Sequence, residues 1–301
     1  MTTREEHEGA KSESTEMRGA AQTRPVGSGS GDTASVGPSG SASRGQAAVQ
    51  DLGGLVAFAG HAIREVPFAI RNYPSEIVRH AGLLVRQNTV IVVFMLFMIG
   101  AVLALTLHFL FANIGITSYM GAESAVAATR GPAHVPFGWI IAAKIGCGIA
   151  AEIGAMRTNE EIDATDIMGV RSVAYLVSTR LVAAFFVMPF FWIIAMSFKF
   201  LAGFLFNVHL LGSVSAGGFV SALFLMQNTK DFTFAVIWAT IMGLTIIVVG
   251  CYYGYTAKGG PLGVGRNTAQ SMLVNMVFIS IFAVIMVQFF YGNSPNAAIG
   301  N

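Results

Sequence analysis

An all-α integral membrane protein is the fold class this sequence predicts, and three observations predict it. Of its 301 residues, 54% are hydrophobic and only 11% are charged, with mean hydropathy +0.63, whereas soluble domains carry about 25% charged residues. Four apolar runs, Thr89–Phe111, Leu181–Phe206, Phe232–Tyr253 and Ser271–Tyr291, match the roughly 20 residues that a bilayer core requires. Lys and Arg gather on alternate connecting segments, the asymmetry of a multi-pass chain.

Residues 1–50 contain no Leu, Ile, Phe, Tyr or Trp and run through Gly/Ser/Ala/Thr stretches. Such a segment buries too little apolar area to offset its chain entropy, which predicts a disordered cytoplasmic tail. No apolar run follows its charged start, so it does not read as a signal peptide. Over 51–88 the apolar residues Leu52, Leu55, Val56, Ala59, Ile63, Val66 and Ile70 recur at three- and four-residue steps, with Arg64, Glu65 and Arg71 on other faces. This pattern, interrupted by Pro67 and Pro74, predicts an amphipathic interfacial helix.

Residues 89–292 read as a five-span domain. The fifth span is a weaker run from about Pro136 to Ala151 that contains Lys144, and charge placement requires it. With five spans and a cytoplasmic N-terminus, nine bases after the tail fall inside (Arg64, Arg71, Arg79, Arg86, Arg157, Arg171, Arg180, Lys258, Arg266) and two, Arg130 and Lys230, fall outside. Omitting the weak span puts two basic loops on opposite sides. The expected location is the inner (plasma) membrane, with residues 293–301 as a short external tail.

Several chemistries are disfavoured. A net charge of +2 without a basic, aromatic-interleaved patch does not suit nucleic acid. Cys147 and Cys251 lie in apolar stretches with no metal spacing and read as buried free thiols. No Ser-His-Asp set is readable, since Asp231 is the only carboxylate after Asp166 and is expected outside the spans. Gly260–Gly265 has the glycine spacing of a phosphate-binding loop, but Arg266 and Asn267 stand where Lys and then Ser or Thr are required. This stretch is expected to be a tight turn between the last two spans, and no cofactor is expected on this chain.

The most informative segment holds Glu152, Arg157, Glu160, Glu161, Asp163 and Asp166. Thr158 and Glu161 have capping-box spacing and Gly169 supplies a stop signal, predicting a helix over about 158–169. At about 15 Å it is too short to cross a bilayer, and it is too acidic to enter one. It reads either as a solvated connector or as a docking surface for a cytoplasmic partner. Ala142, Gly146, Ala150 and Gly154 form a small-residue ladder for close helix approach. Lys199 and His108 fall in or near the ends of spans, where they either reach the outer interface or line a lipid pathway.

Here the residues resemble a known family. Ala151-Glu152-Ile153-Gly154-Ala155-Met156-Arg157, Glu160-Glu161-Ile162-Asp163-Ala164, Met168-Gly169-Val170, Cys251-Tyr252-Tyr253-Gly254 and Gly263-Val264-Gly265-Arg266 occur in the order found in MlaE/YrbE permeases. The doubly acidic Glu160-Glu161 is most similar to the actinobacterial YrbE branch. Lys144 departs from the pattern, where Arg is usual. The resemblance implies a five-span permease subunit of an ABC-type transporter that moves lipids with MCE-domain proteins on the outer side. It implies a second permease subunit, paralogue or self, and a cytoplasmic ABC ATPase dimer that carries ATP and magnesium. Arg157, Glu160, Glu161, Asp163 and Asp166 would then couple the chain to that ATPase. The alternative is an ion- or proton-coupled secondary carrier of a hydrophobic substrate, which needs ionisable groups near the midplane that the last two spans lack.

Overall fold

The structure, a computed structural model, describes residues 39–292, with side chains from residue 50 onward. The remainder of the expected tail, 1–38, and the expected external tail, 293–301, lie outside the described residues. The chain divides into the units Met1–Ala48 and Val49–Asn301. The described part of the first is helical backbone from Ser39, where a disordered segment was expected. Low hydrophobicity argues against a packed core, but the Ala and Gln residues near its end carry good helix propensity.

Among the described residues, nine α-helical elements follow one another: α1 (Ser39–Asn72), α2 (Pro74–Ile114), α3 (Met120–Thr129), α4 (His134–Thr158), α5 (Glu161–Ile167), α6 (Ala174–Leu210), α7 (Ala216–Met226), α8 (Thr229–Tyr255) and α9 (Gly260–Tyr291). Five of them, α2, α4, α6, α8 and α9, are long and apolar enough to cross a membrane, matching the five-span expectation including the weak second span. No strand occurs among the described residues.

Helix α1 continues through Pro67 and the chain breaks only at Tyr73. A residue before proline is disfavoured in helical geometry, and Pro74 then starts α2 at a position where its missing N–H costs nothing. Residues 74–88 therefore belong to the first span's helix, not to a separate interfacial element. Helix α1 is two-faced. Ala62 and Ala69 are fully buried, while Leu52, Val56, Ile63 and Ile70 are exposed. Its inner face is tied to the bundle by Phe58 against Tyr252 and Tyr255, by the Ser178 hydroxyl donating to the Ala62 carbonyl at 2.8 Å, and by Arg171 donating to Glu65.

The bundle centre is set by close crossings. A Cβ on Gly250 would lie 2.7 Å from the Gly146 carbonyl oxygen, and one on Gly254 would lie 2.9 Å from that of Ala150. The predicted ladder is thus the α4–α8 seam, where small residues let backbones approach and dispersion contacts accumulate. Gly100 of α2 meets the backbone of Lys199 in the same manner, joining the first and third spans. Phe137, Met188, Trp192, Trp238 and Met242 fill the core between these seams.

Two spans contain π-helical turns: Ala142–Gly146 in α4, and Ala174–Ser178 and Leu205–Leu210 at the two ends of α6. Such turns insert an extra residue into the helical ladder and swing neighbouring side chains out of register. Helices α3 and α7 were not anticipated and pack together, so closely that a Cβ on Gly121 would run into the Phe219 carbonyl oxygen. The Gly260–Gly265 stretch is the first part of α9; the turn before it is confined to 256–259.

Candidate coupling site

The acidic segment links the second and third spans through one short helix. Helix α4 runs to Thr158, whose hydroxyl donates back to the carbonyls of Gly154 and Ala155 at 3.1 and 3.0 Å. Thr158 thus ends a helix and does not begin one, which corrects the expected capping box. The chain reverses at Glu160, at φ 61° the only non-glycine residue with positive φ among those described. For an L-residue that conformation costs about 1–2 kcal/mol. Its side chain makes no capping bond, and α5 starts at Glu161 with Glu161 and Asp163 in the first turn. Negative charge there is favourable against the helix dipole.

The end of α5 follows the sequence expectation. Gly169 adopts φ 78°, its N–H donates to the Asp166 carbonyl at 3.0 Å, and the Val170 N–H donates to the Thr165 carbonyl at 3.3 Å. This is a Schellman closure, which only a residue tolerant of left-handed φ completes without strain.

Three contacts fix α5 to the spans on either side. Ile162 is fully buried in the core cluster. Arg157, at the end of α4, donates to Asp163 and sits over the Tyr255 ring at 5.7 Å. The Asp166 carboxylate accepts from the Ser172 N–H at 3.3 Å at the start of the third span, where the Ser172 hydroxyl meets the Tyr255 hydroxyl at 3.0 Å. Glu160 and Glu161 stay exposed, the latter accepting from Asn159 at 3.3 Å. The five predicted residues are therefore brought together, with Arg157 paired to Asp163.

Ile167 and Met168 escaped the sequence reading. They are 88% and 73% exposed and project apolar surface from the tip of an acidic element. Two adjacent large apolar residues just before a glycine stop were the available signal.

At the opposite end of the bundle, charge is enclosed. Asp231, expected outside the spans, lies in the first turn of the span helix α8 and is fully buried. Arg130 donates to it through Nε at 3.0 Å and Nη2 at 2.8 Å. Lys199 does not reach the interface: it is 2% exposed and its Nζ donates to the Ser124 carbonyl at 3.0 Å. Beside it on α3, burial pushes the Glu123 carboxyl above its usual range, and the Lys199 charge opposes that shift. His108 is half-buried and its Nδ1 lies 2.8 Å from the Ser213 hydroxyl. His134, also missed, is stacked between Trp238 and Trp192 at 4.2 and 5.2 Å, with Nε2 3.1 Å from the Ala235 carbonyl. Cys147 is half-buried and Cys251 buried, both free. No metal-binding cluster of His, Cys, Asp or Glu occurs among the described residues.

The architecture has counterparts of known class. A probable ABC transporter permease protein of Rickettsia felis is 28% identical over 219 residues, covering 73% of this chain and 84% of that protein. The probable ABC transporter permease protein ycf63 of Pyropia yezoensis is 29% identical over 193 residues, 64% of this chain and 73% of that one. The chloroplastic protein trigalactosyldiacylglycerol 1 of Arabidopsis thaliana is 26% identical over 191 residues, 63% of this chain and 54% of that one. The chain matches the family model described as Permease MlaE over residues 77–289, from the first span's helix to the end of the last. With its five spans and short inter-span helix, the chain belongs to the MlaE permease family and is a membrane permease of the ABC transporter type.

Proposed function

We propose that the chain is the membrane subunit of a lipid transporter working with MCE-domain proteins across the cell envelope, driven by a separate cytoplasmic ATPase that docks on α5. The observation that carries this reading is the construction of α5. It exposes Glu160, Glu161, Ile167 and Met168 while Ile162, Arg157–Asp163 and Asp166–Ser172 bind it to both adjoining spans. A push on its exposed face would therefore be passed to both adjoining membrane helices through these contacts. Mixed acidic and apolar exposure also suits a protein groove better than solvent alone. The name of the Arabidopsis relative, a galactolipid, supports a lipid as cargo.

The chain acts as one half of a pair, the partner being a paralogue or a second copy. Helices α2 and α9 support this: the most apolar windows of these spans are 28% and 17% buried, against 56% for α6 and α8. The end that carries α5 faces the cytoplasm, in keeping with the nine bases on that side, and the last span ends at the outer side. Lys199 and His108, although hydrogen-bonded within the fold, sit near the outer end where cargo would be exchanged with MCE-domain proteins.

Glu161→Lys and Glu161→Gln, with copurification of the ATPase and lipid uptake measured for each, test the reading. Truncating a charge at a desolvated interface costs about 2–5 kcal/mol of binding, more than tenfold in affinity. Glu161→Lys is expected to insert normally but to lose the ATPase or hydrolyse ATP without lipid movement, with Glu161→Gln intermediate. Normal association and uptake in Glu161→Lys would reduce α5 to a connector.

A further inference from the structure

A second polar site lies on the α5 side of the bundle, apart from the exposed acids of α5. It is a cavity of about 250 Å³ between the first three spans, lined by His80, Gln87, Asn88, Lys144, Glu152 and Arg180 among aliphatic side chains of the same helices. Arg180 is 4% exposed and its Nη2 donates to Glu152 at 2.8 Å, but its Nε and Nη1 have no hydrogen-bond partner. A buried guanidinium normally has its donors satisfied, so two open ones mark a place for an acceptor. Glu152 does not fill that role, because its side chain is 60% exposed and meets only one of the three nitrogens.

Two of the three π-turns among the described residues, one in α4 and one at the start of α6, fall at this cavity. Lys144 and Ile145 belong to the π-turn of α4, and Arg180 follows directly on that of α6. The extra residue in each turn rotates a cationic side chain to the cavity wall, where a regular helix would carry it elsewhere. Lys144 and Arg180 outnumber Glu152, leaving one positive charge in a wall that polar and aliphatic side chains share about equally. The volume falls below the roughly 300–1,000 Å³ of sites for drug-sized ligands, so it suits a headgroup and not acyl chains.

We propose that this cavity binds one oxyanion, a phosphate or carboxylate, held by Arg180 and Lys144. The aliphatic walls favour an oxyanion that is the headgroup of a lipid in the leaflet on the α5 side. The inference rests on the lipid-transport reading only for that source, and binding is measured with no ATPase or uptake step, so the two stand or fall separately.

The full chain in nonionic detergent is titrated with dioleoylphosphatidate, oleate or dioleoylglycerol, and bound lipid is counted by native mass spectrometry. Lys144→Gln is the deciding variant because Lys144 is exposed and its loss spares the fold; Arg180→Gln is the companion, and Arg266→Gln, an exposed base outside the cavity, is the control. Losing one charge-assisted contact is expected to weaken phosphatidate and oleate about tenfold in Lys144→Gln, equivalent to about 1.4 kcal/mol. Dioleoylglycerol and the Arg266→Gln control should be unaffected. Displacement of phosphatidate by millimolar inorganic phosphate supports the oxyanion site with a soluble source, and resistance to displacement supports the lipid source. Equal binding of phosphatidate and oleate by Lys144→Gln and the unaltered chain would overturn the proposal.

Discussion

The charged residues around α5 and those at the opposite end of the bundle are of the same kinds and sit in opposite surroundings. At the α5 end, the Arg157 and Asp163 side chains are 33% and 54% exposed and Glu160 and Glu161 face outward. At the other end, Arg130 and Asp231 are 16% and 0% exposed, and Lys199 is sealed beneath α3. Exposed ion pairs contribute roughly 0–1 kcal/mol because water screens them and their side chains lose entropy. A buried charge deprived of its partner is far more costly, since nothing replaces the lost solvation. The comparison teaches that charge at the end away from α5 is a structural matter, whereas most of the charge on α5 is exposed.

The largest effect that would break this contrast belongs to Asp231. Asp231→Ala removes the buried carboxylate facing Arg130 and should destabilise the protein by about 3–5 kcal/mol, read as a large fall in midpoint on thermal unfolding in detergent. A shift no larger than that of Asp163→Ala would erase the distinction between the two ends.

Next comes the anchor of the exposed helix. Ile162→Ala leaves a cavity in the core under α5 and should cost about 2–5 kcal/mol. Because α5 hangs from this side chain, limited proteolysis should cut within 159–170 before the midpoint of global unfolding is reached. Simultaneous loss of both signals would mean that α5 does not open independently.

Helix crossings give a smaller effect at both ends. Gly121→Ala drives a Cβ into the Phe219 carbonyl and Gly250→Ala drives one into that of Gly146. Overpacking of this kind costs about 1–3 kcal/mol. Gly53→Ala, which meets open space, serves as the control and should be neutral.

The finest test lies within α5. Glu160→Gly relieves the positive φ, offset by added freedom of the unfolded chain, and should leave stability within about 1 kcal/mol of the original. Glu161→Gly, one residue on and helical, should lower it by about 1 kcal/mol. Equal losses in the two variants would show that Glu160 is not held in the left-handed region.

Span existence was legible in the sequence because it depends on one-dimensional quantities, the length and apolarity of a run and the placement of Lys and Arg. Even the weak second span, His134–Thr158, could be inferred from charge bookkeeping along the chain. The Gly169 stop was equally readable, since a left-handed helix terminus selects glycine whatever surrounds it. The start of α5 was not. Thr158 and Glu161 have the spacing of a cap, but the preceding helix runs on through Thr158 and uses its hydroxyl for back-bonding, so tertiary continuation overrode the local signal.

Composition and pattern by themselves determined that this chain is a five-span helical protein with a short acidic helix between its second and third spans. Only the tertiary structure decided which charges are exposed and which are enclosed. Lys199 and Asp231 look interfacial in a hydropathy profile, yet α3 covers one and Arg130 meets the other across 101 residues of sequence. The reason is physical. Hydropathy sums over neighbours along the chain, whereas the free energy of a charge is set by the dielectric and the hydrogen-bond partners that neighbours in space supply.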